Sequence, residues 1–124
     1  VPGFARHLGD EQDDGRLLRA KERLDRLDWY PAPVRIDGVR IVVAPWFFRL
    51  PYLRRFDGYT WPRLILVRSP EASDDLLTHE LCHVWQLQHK PLALVVSYVL
   101  AGYWRNPFEV QARRAVALTR EADR

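Results

Sequence analysis

Nothing in these 124 residues constrains the chain as tightly as Thr78-His79-Glu80-Leu81-Cys82-His83-Val84-Trp85-Gln86, which contains His-Glu-x-x-His. On a helix, residues four apart lie about 40° apart around the axis, so His79 and His83 present two imidazoles to one point, one turn apart. Glu80 is turned from His79 by about 100°. Two neutral nitrogens with a carboxylate beside them suit a zinc site: the nitrogens bind the ion and the glutamate reaches its water. Leu76, Leu77, Leu81, Val84, Trp85 and Leu87 put apolar groups on nearly every side of the segment. A helix apolar all round is buried. Buried histidines and a buried glutamate need partners, since unpaired polar groups there cost several kcal/mol. A metal ion satisfies all three; the alternative is a core whose polar groups satisfy one another.

A catalytic zinc needs a third protein ligand and an open position. His89, six residues after His83, reproduces the outer spacing of the metzincin signature His-Glu-x-x-His-x-x-Gly-x-x-His. The glycine that turns the chain back in that signature is Gln86 here, and the chain has no methionine for a methionine turn. A helix continuing past His83 would carry His89 about 9 Å further along the axis. Glu109 is the other candidate. Asn106-Pro107 reads as an N-cap and first residue of a final helix reaching about Ala122, with Glu109 on the edge of a stripe with Ala112 and Val116. The competing role for Glu109 is a capping box, reaching back to the Asn106 amide.

The bulk numbers, 48% hydrophobic and 28% charged residues, fit one domain over residues 1–124, and the elements along the chain make the expected class α+β. Net charge is +3, and seventeen of the nineteen basic residues are Arg. So small and scattered an excess gives no strong nucleic-acid signal. The single cysteine, Cys82, excludes an intrachain disulfide and is expected to pack rather than react. The visible N-terminus shows no signal-peptide pattern, so the expected location is cytoplasmic. With no methionine anywhere, the expectation is also that an upstream segment has been removed. The sequence sets no oligomeric state.

Residues 1–15 read as a loose lead-in. Leu17, Leu18, Leu24 and Leu27 recur at helical spacing from Gly15 to Asp28, ended by Pro31 and Pro33. Val34 to Val43 alternates around Asp37-Gly38, a hairpin signal. Pro45 to Tyr59 is aromatic and basic; it is read either as a substrate-facing loop or, preferably, as an irregular segment whose rings close the core. Leu64 to Val67 reads as a buried strand. Ser73 or Ser69 caps the motif helix, expected from Asp74 to Gln88. Leu92 to Trp104 is almost wholly apolar but shorter than the ~20 residues of a membrane span, so the expectation is a buried helix and no span. A small antiparallel sheet from Val34–Val43 and Leu64–Arg68 should pack on the motif helix.

His79 to Gln86 followed by Tyr103-x-x-Asn106-Pro107-Phe108-Glu109-x-x-Ala112 resembles the small gluzincin-type metallopeptidases, compact zincin-like domains with a strand just before the motif helix. The resemblance covers about residues 60 to 116. It implies a zincin-like fold, zinc, and hydrolysis of a peptide or protein substrate, with His79, His83 and Glu109 as ligands and Glu80 as general base. Gluzincins carry an acidic residue four after the ligand glutamate, as partner to a histidine; here that position is Arg113. The oxyanion donor is sought among Tyr103, Tyr98, His89 and Arg105, with Tyr103 the catalytic candidate. Two other readings stand beside this one. Small size and Arg113 favour a zinc-binding, catalytically idle interaction module. His-Glu-Leu-Cys-His also resembles the SprT-like DNA-repair proteases, which usually add a cysteine zinc ribbon and a later histidine that this chain lacks.

Overall fold

The structure is a computed structural model that describes residues 10–51, 53–101 and 106–122. It is mixed α+β. In chain order it runs α1 (Asp10–Asp25), β1 (Arg40–Val43), a 3₁₀ turn (Phe47–Arg49), β2 (Gly58–Trp61), β3 (Leu64–Val67), α2 (Asp74–His89), α3 (Pro91–Ala101) and α4 (Pro107–Ala122).

β3 is the central strand, flanked by β1 in parallel and β2 in antiparallel register. Ile65, Leu66 and Val67 are buried in succession, which is why this short run has no polar alternation. The sheet is therefore not the purely antiparallel one expected, and Val34–Val43 is not a hairpin. The turn itself forms: Val39 N donates to Ile36 O across Asp37-Gly38. Of its two central residues only Gly38 has positive φ (76°), however, whereas the type I′ turn that matches strand twist needs positive φ at both. The arms splay apart. The backbone of Arg35 pairs with the Gln88 side chain instead, its N–H donating to Oε1 (2.9 Å) and its carbonyl accepting from Nε2 (2.7 Å). The antiparallel partner of β3 is β2, reached through a turn at Pro62-Arg63.

α2 is the axis of the molecule. Ser73 caps it, its Oγ accepting from Leu76 N (3.0 Å), and Asp74 and Asp75 complement the helix dipole in the first turn. Leu77, Leu81, Val84 and Trp85 fill the core with Leu17 and Leu24 of α1, Ile65 and Val67 of β3, and Ala112 and Ala115 of α4. The small side chains of Ala112 and Ala115 let α4 lie close against α2. Trp85 Nε1 donates to Ala32 O (2.8 Å), pinning the linker after α1. Arg23, buried on α1, bonds Asp75 (3.0 Å) and Thr119 Oγ1 (3.0 Å), tying three helices together where the charge is compensated.

α3 departs from expectation. It forms, but it is not buried. Only Leu94 is wholly inside, while Leu92 and Leu100 are 80% and 81% exposed. Pro91 starts the helix directly after α2, and the short connection holds one side against the molecule while the other faces outward. Of the Pro45–Tyr59 segment, Phe48 closes a small second core with Ala44 and Leu66, whereas Trp46 and Leu50 are exposed. Among the described residues, no helix is long and apolar enough to cross a membrane.

Candidate metal centre

Two helices build the site. α2 supplies His79, Glu80 and His83, and α4 supplies Glu109 from its first turn. Asn106 caps α4 as its sequence suggests, Oδ1 accepting from Phe108 N (2.8 Å) and Glu109 N (3.2 Å). Asn106 Nδ2 donates to Ser97 Oγ (3.0 Å), locking the start of α4 to α3. The second half of a capping box does not form: the Glu109 carboxylate faces His79 and His83 instead of reaching back to the Asn106 amide.

Glu109 is 1% exposed, and its two oxygens face the two imidazoles: Oε1 is 2.6 Å from His79 Nε2, and Oε2 is 2.9 Å from His83 Nε2. Tyr98 OH donates to Oε2 (2.9 Å). Oε1, although close to His79, makes no hydrogen bond of acceptable geometry. Its compensation is the ion-pair contact with His79, and a cation bound between the groups would take over that role. The donor set is two nitrogens and one oxygen, all within 4.8 Å of one another, so that small side-chain shifts would bring them to bonds of about 2 Å round one ion. These residues fit a metal ion.

Burial alone would raise the pKa of Glu109; the adjoining His79 and His83 outweigh it and hold the carboxyl well below the usual carboxylate range. Burial opposes charge on His83, but Glu109 and Glu80 prevail and its pKa rises. The three side chains thus form a compensated cluster of charge and protons, and a divalent cation binding there would displace the protons.

Glu80 stands apart from this trio. The Thr60 hydroxyl of β2 donates to it, 2.8 Å from Oε1 and 3.0 Å from its backbone carbonyl. Gly58 makes the approach possible: a Cβ there would lie 3.0 Å from Glu80 Cγ and 3.2 Å from Oε2. The missing side chain is a packing requirement. Glu80 and His83 open with Glu109 onto a cavity of about 510 Å³, walled by Leu53, Phe56 and Tyr59 on one side and by Leu94, Val95, Tyr98 and Val99 on the other.

His89 is elsewhere. Its ring stacks on Tyr30 at 5.1 Å and 12°, so the structure does not bring it to the histidine pair. Of the four oxyanion candidates, Tyr98 lines the cavity; Tyr103 and Arg105 lie outside the described residues. Cys82 is buried, and its thiol is pushed up to about 12 by burial first and by Glu109 and Glu80 next, in keeping with a packing role.

Sequence reasoning missed Gln86. Its Oε1 lies 2.7 Å from His83 Nδ1, while its Nε2 donates to Phe108 O (2.8 Å) and Gln111 Oε1 (2.9 Å). The signal was available: residues three apart on a helix are neighbours, so Gln86 necessarily flanks His83. Sought at position 113, the group that orients a histidine is an amide on α2 itself. Arg113 instead borders a second hollow together with His79 and Glu80. No protein-family model matches the chain, and neither the curated proteins nor the solved structures compared with it give a match.

Proposed function

We propose that the chain is a zinc-dependent metallopeptidase of zincin-like type. The observation that carries this reading is the convergence of His79, His83 and Glu109 within 4.8 Å, with Glu80 next to them but held by a different partner. Two imidazoles and one carboxylate are the protein ligands of a catalytic rather than a structural zinc, because three leave a position open. Zinc held there supplies Lewis acidity, activating water at neutral pH and polarising a carbonyl.

The remaining work falls to the chain's own groups. Glu80 takes the proton from the attacking water and passes it to the leaving amine. Thr60 holds its carboxylate against β2, where Gly58 leaves room for it, at the wall of the cavity. Tyr98 fixes the Glu109 carboxylate. The cavity's Phe56, Tyr59, Leu94, Val95 and Val99 favour an apolar side chain on the substrate.

The test uses zinc-loaded protein and a mixture of fluorogenic peptides with varied apolar side chains. Wild type should cleave; Glu80→Gln should keep its zinc and lose at least about 100-fold in rate, the range for removing a general base. Zinc retention with no cleavage by wild type would favour an idle metal-binding module. Undiminished cleavage by Glu80→Gln would show that another group takes the proton.

A further inference from the structure

The exposed side of α3 is a stripe, not a scatter. Leu92, Val95, Val96, Val99 and Leu100 follow the spacing i, i+3, i+4, i+7, i+8, and all are more than half exposed. Such a stripe usually faces a core; here it faces outward. Val95 and Val99 also form one lip of the metal cavity. The opposite lip is Tyr59, which belongs to a run of touching rings: Trp46 to Phe47 (5.9 Å), Phe47 to Tyr59 (5.5 Å) and Tyr59 to Trp61 (5.6 Å). Trp46 and Trp61 are exposed. The cavity mouth is therefore rimmed by aliphatic residues on one side and amphipathic rings on the other.

The sequence segments that supply these residues are also basic. Residues 38–70 and 90–108, which carry both lips, hold eight of the nineteen basic residues and one of the sixteen acidic ones. That one acid, Asp57, pairs with Arg68 (3.2 Å). The rest of the chain holds eleven basic and fifteen acidic residues. Arg49, Arg54, Arg55 and Arg63 are exposed. The modest net charge of +3 is thus +7 over residues 38–70 and 90–108 and −4 over the rest of the chain.

We propose that this face seats on an anionic lipid bilayer. α3, eleven residues and so about 16 Å long, cannot cross an apolar layer of about 30 Å; it lies in the interface with its stripe toward the acyl chains. Trp46, Tyr59 and Trp61 sit at headgroup depth, and the arginines meet lipid phosphates. A second copy of this chain is the poorer occupant, because a two-fold contact through one face sets the same basic patch against itself. Seated this way, the cavity opens toward the membrane. On the metallopeptidase reading, its substrates are then peptides at or emerging from the bilayer.

Vesicle flotation of the purified full chain, with and without zinc, tests the seating independently of any hydrolysis. Phosphatidylcholine vesicles containing phosphatidylglycerol should carry the protein upward; pure phosphatidylcholine should bind about tenfold more weakly or worse, and high salt should weaken the anionic binding. Leu92→Asp with Leu100→Asp, at highly exposed positions and with an unchanged circular dichroism spectrum, should lose binding. Arg54→Glu with Arg63→Glu should remove the preference for anionic lipid. A folded wild type that ignores anionic vesicles overturns the proposal, as does undiminished binding by the double aspartate variant. A stable dimer dispersed by those aspartates, with no vesicle binding, also overturns it and gives the face to a second copy. Loss of hydrolysis with vesicle binding intact would overturn only the peptidase reading.

Discussion

Nδ1 of His83 lies 2.7 Å from Oε1 of Gln86, and this contact fixes which ring nitrogen faces Glu109. The Gln86 amide has no freedom to flip, since its nitrogen donates to Phe108 O and Gln111 Oε1. Its oxygen must face the imidazole, so Nδ1 carries the proton and Nε2 is left for a ligand. Gln111 Oε1 also accepts from Tyr30 OH (2.8 Å), so the chain of bonds runs from the site across the packed helices.

Gln86→Leu should therefore weaken zinc binding by about 10- to 100-fold, the range for losing a group that orients a metal-binding histidine. Competition titration against a chelating dye measures it. The same substitution removes the side-chain bonds to the Phe108 carbonyl and Gln111 and should cost about 1 kcal/mol in denaturant unfolding of the metal-free protein. Unchanged zinc affinity would mean that His83 needs no help from Gln86.

Glu109 and His89 make opposite forecasts. Glu109→Ala removes a buried oxygen donor facing both imidazoles and should lower zinc affinity by orders of magnitude. His89→Ala, which loses only a stacked ring on Tyr30, should leave affinity nearly intact. Glu109→Gln separates ligation from capping: a cap alone would cost about 1 kcal/mol and spare the metal. The reverse pattern in the dye titration would return the third position to His89.

Tyr30 gives a pH signature away from the ligands. Burial chiefly, with the Cys82 charge, pushes its phenol up to about 12 from an ordinary value near 10, against the bond to Gln111. A folded pKa above the unfolded one means that the fold prefers the protonated phenol. That contribution is intact below pH 10 and is lost as pH rises from 10 toward 12. Urea midpoints of wild type should fall across this window more steeply than those of Tyr30→Phe. Parallel curves would show that Tyr30 is not responsible.

The helices were legible because their signals are local. Ser73 and Asn106 cap where their side chains reach the next turn, and the apolar positions of α2 repeat at helical spacing. His79 and His83 could be paired from spacing because they share a helix face; spacing left the third position between His89 and Glu109, and the resemblance to gluzincins implied Glu109. What failed depended on partners distant in sequence. Asp37-Gly38 makes its turn, but Gln88, fifty-three residues after Arg35, takes the backbone groups that a hairpin would have used. The antiparallel strand Gly58–Trp61 was hidden in an aromatic stretch, since pairing with β3 rather than composition defines it. α3 was expected inside because its residues are apolar; the fold covers Leu94 and leaves Leu92 and Leu100 outside.

The central claim is that His79, His83 and Glu109 hold one zinc. Protein prepared without chelator, supplied with zinc at neutral pH and freed of excess, can be measured by elemental analysis together with zinc-edge X-ray absorption. The account predicts one zinc per chain, with two imidazole nitrogens at about 2.0–2.1 Å, carboxylate oxygen at about 2.0–2.2 Å and no sulfur. A chain that stays metal-free, or a spectrum with sulfur from Cys82 or a third imidazole in place of the carboxylate, would contradict it.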